Sequence, residues 1–194
     1  MDVAGSGVIF GCDIARFGGD ETAIALRAGT RVLSITTWSK FDLMETCGRI
    51  VNLEREYHPV ALHVDEIGLG GGVVDRLREL RLPVIGINVG LAARDPEKFL
   101  NLRAEYFHGL ATRFRDGEID IPPDDLLVGQ LASIRYRYDS RGRMLIESKE
   151  DAAKRGVPSP DRAESVMLAF ARPVLQPKVA PFALIQGAVR GWTP

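Results

Sequence analysis

Two short apolar runs in this 194-residue chain each end in an aspartate, and they constrain its fold more than any other feature. Residues 8–13 read Val-Ile-Phe-Gly-Cys-Asp, and residues 60–65 read Val-Ala-Leu-His-Val-Asp. Runs this short and this apolar are typical of strands that are buried on both faces of a sheet. Because two β-rich runs follow the first run and a segment with helical spacing follows the second, the sequence predicts an α/β domain with a mixed sheet.

The remaining segments predict the order βββ-α-β-α-β-α, followed by a hairpin and further helices, with helices on both faces of the sheet. Two β-rich runs, 22–28 and 31–38, continue the first strand as a meander. Asp42 and Glu45 form a capping box that begins the first helix, and His58-Pro59 ends it. The later predictions are a glycine loop at 68–72, helices at 73–80, 99–114, 126–134 and 161–171, strands at 84–89 and 119–121, and a hairpin of strands 135–139 and 143–148.

Composition and terminal segments set the domain limits. We predict one domain over 8–172, with a disordered or vector-derived segment at 1–7 and a proline-containing tail at 173–194. No apolar run approaches the ~18 residues of a membrane span. Two cysteines, Cys12 and Cys47, provide no disulfide framework, which favours a reducing compartment. The balance of 25 Lys and Arg against 26 Asp and Glu gives a net charge of −1, which at first argues against a nucleic-acid binder.

Three aspartates lie where a carboxylate is unfavourable for folding alone. Asp13 and Asp65 end apolar strands, and such strand ends face the ligand-binding edge of an α/β sheet. Asp161 lies in the first turn of the last predicted helix, after Ser159 as a possible N-cap, and Glu164 follows one turn later on the same face. Each acid alone fits a turn or a helix cap equally well. Together they fit two-metal phosphoryl transfer, in which two divalent ions about 3.5–4 Å apart activate a water and stabilise the leaving oxygen.

A basic segment follows in the predicted hairpin. Residues 135–143 contain four arginines against one aspartate, and strand alternation places Arg135 and Arg137 on one face and Tyr136 and Tyr138 on the other. A basic strand face can contact the phosphate backbone of DNA, but a solvated face above a tyrosine-lined core would show the same alternation. The predicted DNA-binding set is Arg135, Arg137, Arg141, Arg143, Lys149, Lys154 and Arg155.

Three acidic motifs, GCDIARFGGDET at 11–22, HVDEIGLGGG at 63–72 and ESKEDAAKRGVPSPDRAE at 147–164, resemble the nuclease domain of the large terminase subunit. That subunit is the genome-packaging motor of tailed bacteriophages. The resemblance spans 8–172 and implies a ribonuclease-H-like fold and metal-dependent endonucleolytic cleavage of concatemeric double-stranded viral DNA. By motif position it implies Asp13, Asp65 and Asp161 as catalytic acids that bind two divalent ions, Mg²⁺ or Mn²⁺.

The resemblance also indicates further site residues and partners. The family often has Asp where this chain has Glu164, so Glu164 is an auxiliary candidate ligand, and Asp20 and Glu66 lie nearby in the sequence. Asn101 and the segment 103–105 match a family helix that borders the site. The implied partners are double-stranded DNA, an ATPase domain of the same full-length protein, the portal protein and the small terminase subunit, in the host cytoplasm and without a membrane.

Three alternatives remain open at this point. A junction resolvase would share the ribonuclease-H-like fold, and a non-catalytic packaging module would dock on a portal protein. An actin-like or sugar-kinase-like ATPase would need a late phosphate-binding glycine motif, which the chain does not show. Because no G-x-x-x-x-G-K-[ST] motif occurs, we expect no ATP hydrolysis from this sequence. The net charge of −1 is compatible with DNA binding after all, since an acidic metal site and a basic track cancel in the sum.

Overall fold

The sheet confirms the predicted α/β architecture. The structure is a computed structural model that describes residues 7–15 and 20–173. Within these residues the main strands are β1 (Val8–Asp13), β2 (Thr22–Ala28), β3 (Arg31–Trp38), β4 (Ala61–Asp65) and β5 (Val84–Ile87). They form a five-stranded sheet in the order β3-β2-β1-β4-β5. The first three strands are an antiparallel meander, whereas β4 runs parallel to β1 and β5 runs parallel to β4.

Helices cover both faces of this sheet. On one face pack α1 (Leu43–Tyr57) and α2 (Gly70–Glu79), around a core that includes Phe10 and Leu62. On the other pack α3 (Leu102–Arg115), α4 (Asp125–Ser133) and the helix Asp161–Phe170, around Val166 and Met167. None of the described helices is long and apolar enough to cross a membrane. Both cysteines are buried as free thiols.

The remaining described elements lie between α4 and the last helix. A small hairpin consists of β6 (Tyr136–Tyr138) and β7 (Met144–Ile146), followed by a short helix α5 (Lys149–Lys154), and Asp161–Phe170 is α6. The sequence did not predict α5, which begins where the Ser148 hydroxyl accepts a hydrogen bond from the Asp151 amide. The hairpin strands are shorter than predicted: pairing covers Tyr136–Tyr138 and Met144–Ile146, with one further backbone bond at each end, from the Asp139 amide to the Arg143 carbonyl and from the Glu147 amide to the Arg135 carbonyl.

Helix caps agree with the sequence prediction at α1 and differ at α6. Asp42 and Glu45 form the predicted capping box, and His58 ends α1 in the left-handed conformation. The N-cap of α6 is Pro160, whose side chain caps nothing, and not Ser159 as predicted. The Ser159 hydroxyl instead donates a hydrogen bond to Asp161. The last helix therefore begins without a local side-chain cap.

Other boundaries differ from prediction for local physical reasons. The predicted glycine loop at 68–72 is wrong in its second half, because α2 begins at Gly70, where a Cβ would overlap the backbone oxygen of Asp65. The predicted strand at 119–121 is a single bridge between Asp120 and Arg31. Of the predicted terminal segments 1–7 and 173–194, all but Gly7 and Pro173 lie outside the described residues, as do the turn residues 16–19.

Candidate functional site

A glycine in β1 brings two of the predicted acids together. A Cβ on Gly11 would overlap the backbone of Ser165 and Ala169, so α6 lies directly on β1 at this residue. Two residues along the strand cover about 7 Å, and one helical turn back along α6 covers about 5.4 Å. Asp161 therefore lies beside Asp13. Cys12 points to the opposite face and joins the core under α1 and α2, as strand alternation predicts.

The third acid reaches the same edge through the parallel pairing of β1 and β4. Cys12 pairs with Val64, so Asp13 and Asp65 end neighbouring strands side by side. Burial raises the pKa of Asp13 from 3.8 to about 8, and Glu164, Asp161 and Asp65 add to that rise while Lys149 opposes it. Burial likewise raises the pKa of Asp65 to about 6, against the hydrogen bond that it accepts from the Ile67 amide. Repulsion between the acids therefore adds to the effect of burial on the pKa of Asp13.

Lys149 is the cation of this cluster. Its Nζ lies 3.8 Å from Asp13 Oδ2 and 3.7 Å from Asp161 Oδ1, and its side chain is 45% exposed. Burial lowers the pKa of Lys149, but Asp13, Glu164 and Asp161 outweigh that effect and raise it. Lys149 also lines an open depression of about 610 Å³, together with Asp161. Lys149, a member of the predicted DNA-binding set, thus lies among the candidate acids.

Glu164 is buried on the same side of α6 but is held by an arginine. Arg103 Nε and Nη2 donate to Glu164 Oε1 at 3.0 and 2.6 Å, and Arg103 Nη1 donates to the Glu147 carbonyl at 2.9 Å. The predicted border helix therefore meets the site through Arg103. Asn101 caps α3 and Glu105 accepts from the Arg94 amide, so these two residues serve local structure.

Other residues noted in the sequence lie apart from this cluster. Asp20 is exposed at the rim of the depression. The Glu66 carboxylate lies over Gly86 of β5. His63 is buried, with Nδ1 2.9 Å from the Leu168 carbonyl, and burial lowers its pKa. It is a packed histidine of the core.

The donor chemistry fits a hard divalent cation. The ligands available at this edge are carboxylate oxygens, which Mg²⁺ and Mn²⁺ prefer. Asp13 Oδ2 is buried and has no hydrogen-bond partner among the described residues. In the present side-chain arrangement no three described acids, histidines or cysteines are grouped closely enough to hold one ion. Oxygens of Asp161 are engaged by the Glu21 amide at 2.9 Å and by the Ser159 hydroxyl. We conclude that Asp13, Asp65 and Asp161 suit a metal site in type and location, and that their side chains must rotate to share one.

The predicted basic set divides into two groups. Four of its seven members are paired: Arg143 with Asp139, Lys154 with Asp151, Arg155 with Glu147, and Lys149 with Asp13 and Asp161. Three others, Arg135, Arg137 and Arg141, are exposed and make no ion pair with a described residue. We call these three residues the free arginines of the hairpin.

The tyrosines of the hairpin do not line a core. Tyr136 and Tyr138 are 59% and 64% exposed, and their rings meet edge to face at 5.8 Å. The alternative of a solvated basic face above a tyrosine-lined core is therefore wrong, because both faces of β6 meet solvent.

Comparison with known proteins places this geometry in a recognised fold. No protein-family model matches the sequence, and no curated protein is significantly similar to it. Similar solved structures are nuclease domains of large terminase subunits. A mutant of that domain from bacterial virus Sf6, with manganese and beta-thujaplicinol, is 18% identical with a TM-score of 0.79 and covers 87% of this chain and 89% of its own.

Two other phages provide further similar structures. The large terminase nuclease of phage G20c with bound magnesium is 15% identical, with a TM-score of 0.68 over 86% of this chain and 81% of its own. The corresponding domain of Thermus phage P74-26 is 13% identical, with a TM-score of 0.66 over 85% of this chain and 78% of its own. The chain therefore has the ribonuclease-H-like fold of these nuclease domains, as expected from its three acidic motifs.

Proposed function

We propose that this chain is a metal-dependent endonuclease domain of a large terminase subunit, which cuts concatemeric double-stranded viral DNA during packaging. One observation supports this most strongly: three aspartates from β1, β4 and α6 converge at one sheet edge, and Asp13 carries a buried oxygen with no described hydrogen-bond partner. The similar nuclease domains from Sf6 and G20c were solved with manganese, calcium, magnesium or cobalt. The shared fold, together with the carboxylates that this chain brings to one sheet edge, favours a divalent cofactor here.

The proposed mechanism assigns a role to each acid. Asp13, Asp65 and Asp161 would hold two divalent ions, with Glu164 as an auxiliary ligand. Such ions lower the pKa of an attacking water and offset charge on the leaving 3′ oxygen. Lys149 lies close enough to Asp13 and Asp161 to orient a phosphate oxygen at the same place.

The DNA backbone is proposed to lie along the hairpin. Arg135, Arg137 and Arg141 are exposed cations without a described ion pair, so they can meet phosphates at little desolvation cost. Arg143, Lys154 and Arg155 would first have to leave their carboxylate partners. We therefore expect the free arginines to carry most of the phosphate contact and sequence specificity to be weak.

The further partners are proposed from the resemblance to large terminase subunits. In a packaging motor this domain would act beside the ATPase domain of its own full-length protein, and with the portal protein and the small terminase subunit, in the host cytoplasm. None of these partners is needed for the test below, which uses the chain as it stands.

Plasmid cleavage tests the proposed activity. We expect Mn²⁺ or Mg²⁺ to support nicking and linearisation of supercoiled DNA, and EDTA to abolish it. Asp13→Asn and Asp161→Asn should each slow cleavage by more than about 100-fold, since loss of an outer partner of a metal ligand alone costs about 10- to 100-fold. Asp120→Asn, on the exposed ion pair with Arg31, is the matched control and should cut as wild type.

Two results would contradict the proposal. Metal-dependent nicking that survives both site substitutions would move the active site elsewhere. A wild-type chain that cuts under no metal condition would favour the non-catalytic packaging module.

A further inference from the structure

The helix that carries Asp161 and Glu164 begins without a cap of its own. Pro160 occupies the N-cap position and has no side-chain acceptor for the first-turn amides. The first intrahelical bond of α6 runs from the Glu164 amide to the Pro160 carbonyl. The amides before Glu164 need acceptors from outside the helix, because a buried unpaired N–H group is costly.

Gln130 on α4 supplies that acceptor from a distant part of the chain. Its Oε1 accepts hydrogen bonds from the Arg162 and Ala163 amides at 2.9 and 3.1 Å. Its Nε2 donates to the Ser159 carbonyl at 3.4 Å. One side chain is thus bonded to the backbone on both sides of Asp161, and it also lines the depression beside that carboxylate.

An arginine clamp fixes the same turn to two other elements. Arg162 Nε lies 2.9 Å from Glu21 Oε1, and its Nη1 lies 2.7 Å from Asp124 Oδ2, the residue that caps α4. The Glu21 amide in turn donates to Asp161 Oδ2 at 2.9 Å. The start of α6 is therefore bound to α4 and to the approach of β2, with Gln130 as its direct cap.

We infer that Gln130 is a positioning residue for the candidate metal site. It caps α6 in place of a local side chain and thereby fixes the backbone from which the Asp161 carboxylate extends. This inference rests on the proposed function. A partner that orients a metal ligand is typically worth about 10- to 100-fold in metal affinity, so Gln130 should influence metal binding without touching the ion.

Metal binding to the whole chain tests this role directly. Both variants lose the Nε2 bond to the Ser159 carbonyl, but Gln130→Met also removes the acceptor for the Arg162 and Ala163 amides, whereas Gln130→Glu keeps that acceptor. We expect calorimetric titration with Mn²⁺ alone to show affinity weakened by about tenfold in Gln130→Met and near or above wild type in Gln130→Glu. In plasmid cleavage at saturating Mn²⁺, Gln130→Met should lower kcat and leave KM for DNA unchanged.

The control is Val128→Ala, an exposed side chain on the same helix, which should match wild type in both measurements. Gln130→Met that lowers the unfolding midpoint but binds Mn²⁺ as wild type would overturn the inference, because the cap would then be only structural. Gln130→Glu that binds as weakly as Gln130→Met would overturn it too. A wild-type chain that neither binds Mn²⁺ nor cuts DNA would overturn the proposed function and this inference with it. If only the inference fails, the wild-type chain still binds Mn²⁺ and cuts DNA.

Discussion

Asp13 places a carboxylate oxygen without a described hydrogen-bond partner in a buried position, and we predict that the protein loses stability as pH rises because of it. Burial raises the pKa of Asp13 from 3.8 to about 8. Between these two values the folded chain retains a proton that the unfolded chain has released. Stability contributed by the protonated form is therefore fully present below about pH 4 and is lost as pH rises towards 8.

The size of this effect follows from linkage. One proton retained only in the folded state lowers the free energy of unfolding by about 1.4 kcal/mol per pH unit. Asp13 alone thus lowers the free energy of unfolding by about 3 kcal/mol as the pH rises from 5 to 7. Asp65, with a pKa raised to about 6, adds a slope of the same sign at the lower end of this range. His63 adds the opposite slope below pH 6.5, because burial lowers its pKa.

Because these contributions overlap, the assay compares wild type with Asp13→Asn. Urea unfolding in EDTA at pH 5, 6, 7 and 8 gives the free energy of unfolding of each protein. We expect the advantage of Asp13→Asn over wild type to grow by about 1.4 kcal/mol per pH unit up to pH 7 and to level off near pH 8. Asp75→Asn, the same chemical change at an exposed position of α2, should follow the wild-type curve.

A constant difference between Asp13→Asn and wild type at every pH would refute this reasoning. It would mean that Asp13 has the same proton affinity in the folded and unfolded chains. A difference that shrinks with rising pH would mean that the folded state stabilises the ionised form, which contradicts an oxygen without a partner.

Two further substitutions test the close approach at α2 and the free arginines of the hairpin. Gly70→Ala places a methyl group on the backbone oxygen of Asp65 and should lower the free energy of unfolding by about 2–3 kcal/mol. The control Gly48→Ala, in open space on α1, should raise it by up to about 1 kcal/mol. Urea unfolding measures both, and equal effects of the two substitutions would contradict the close approach at Gly70. Arg137→Ala should reduce the slope of log affinity against log salt for duplex DNA by about 0.9 in fluorescence anisotropy, whereas Arg143→Ala, already paired with Asp139, should leave it near wild type.

The convergence of the candidate acids could be predicted because its signals are local. A carboxylate at the end of an apolar run is visible in six residues, and the parallel pairing of β1 and β4 then brings Asp13 and Asp65 together. The capping box at Asp42 is equally local and was confirmed. Asp161 needed one further feature, the small residue at Gly11, which lets α6 lie on β1.

The supporting residues could not be predicted, because their partners are distant in sequence. Gln130 meets amides 32 and 33 residues later, and no periodicity or motif links them. Ser159 was predicted as a cap from its residue type, but the backbone at Pro160 turns its hydroxyl onto Asp161. The net charge of the basic segment also could not show which cations are paired. The structure shows that Arg143 is paired with Asp139, whereas Arg137 makes no ion pair with a described residue.

Several features that oppose folding occur together at one sheet edge. Asp13 has a buried oxygen without a described hydrogen-bond partner, and Asp65 has a raised pKa. Gly11 and Gly70 contribute no side chain to the core, because neighbouring backbone atoms occupy the place of a Cβ. Elsewhere the described chain follows ordinary rules, with apolar cores on both sheet faces and capped helices. Departures from those rules persist where a function needs them, because substitutions that remove them would stabilise the fold. If this edge served only the fold, Asp13→Asn would increase stability and leave every activity unchanged. We therefore expect the stabilised variant to be the one that fails to cut DNA.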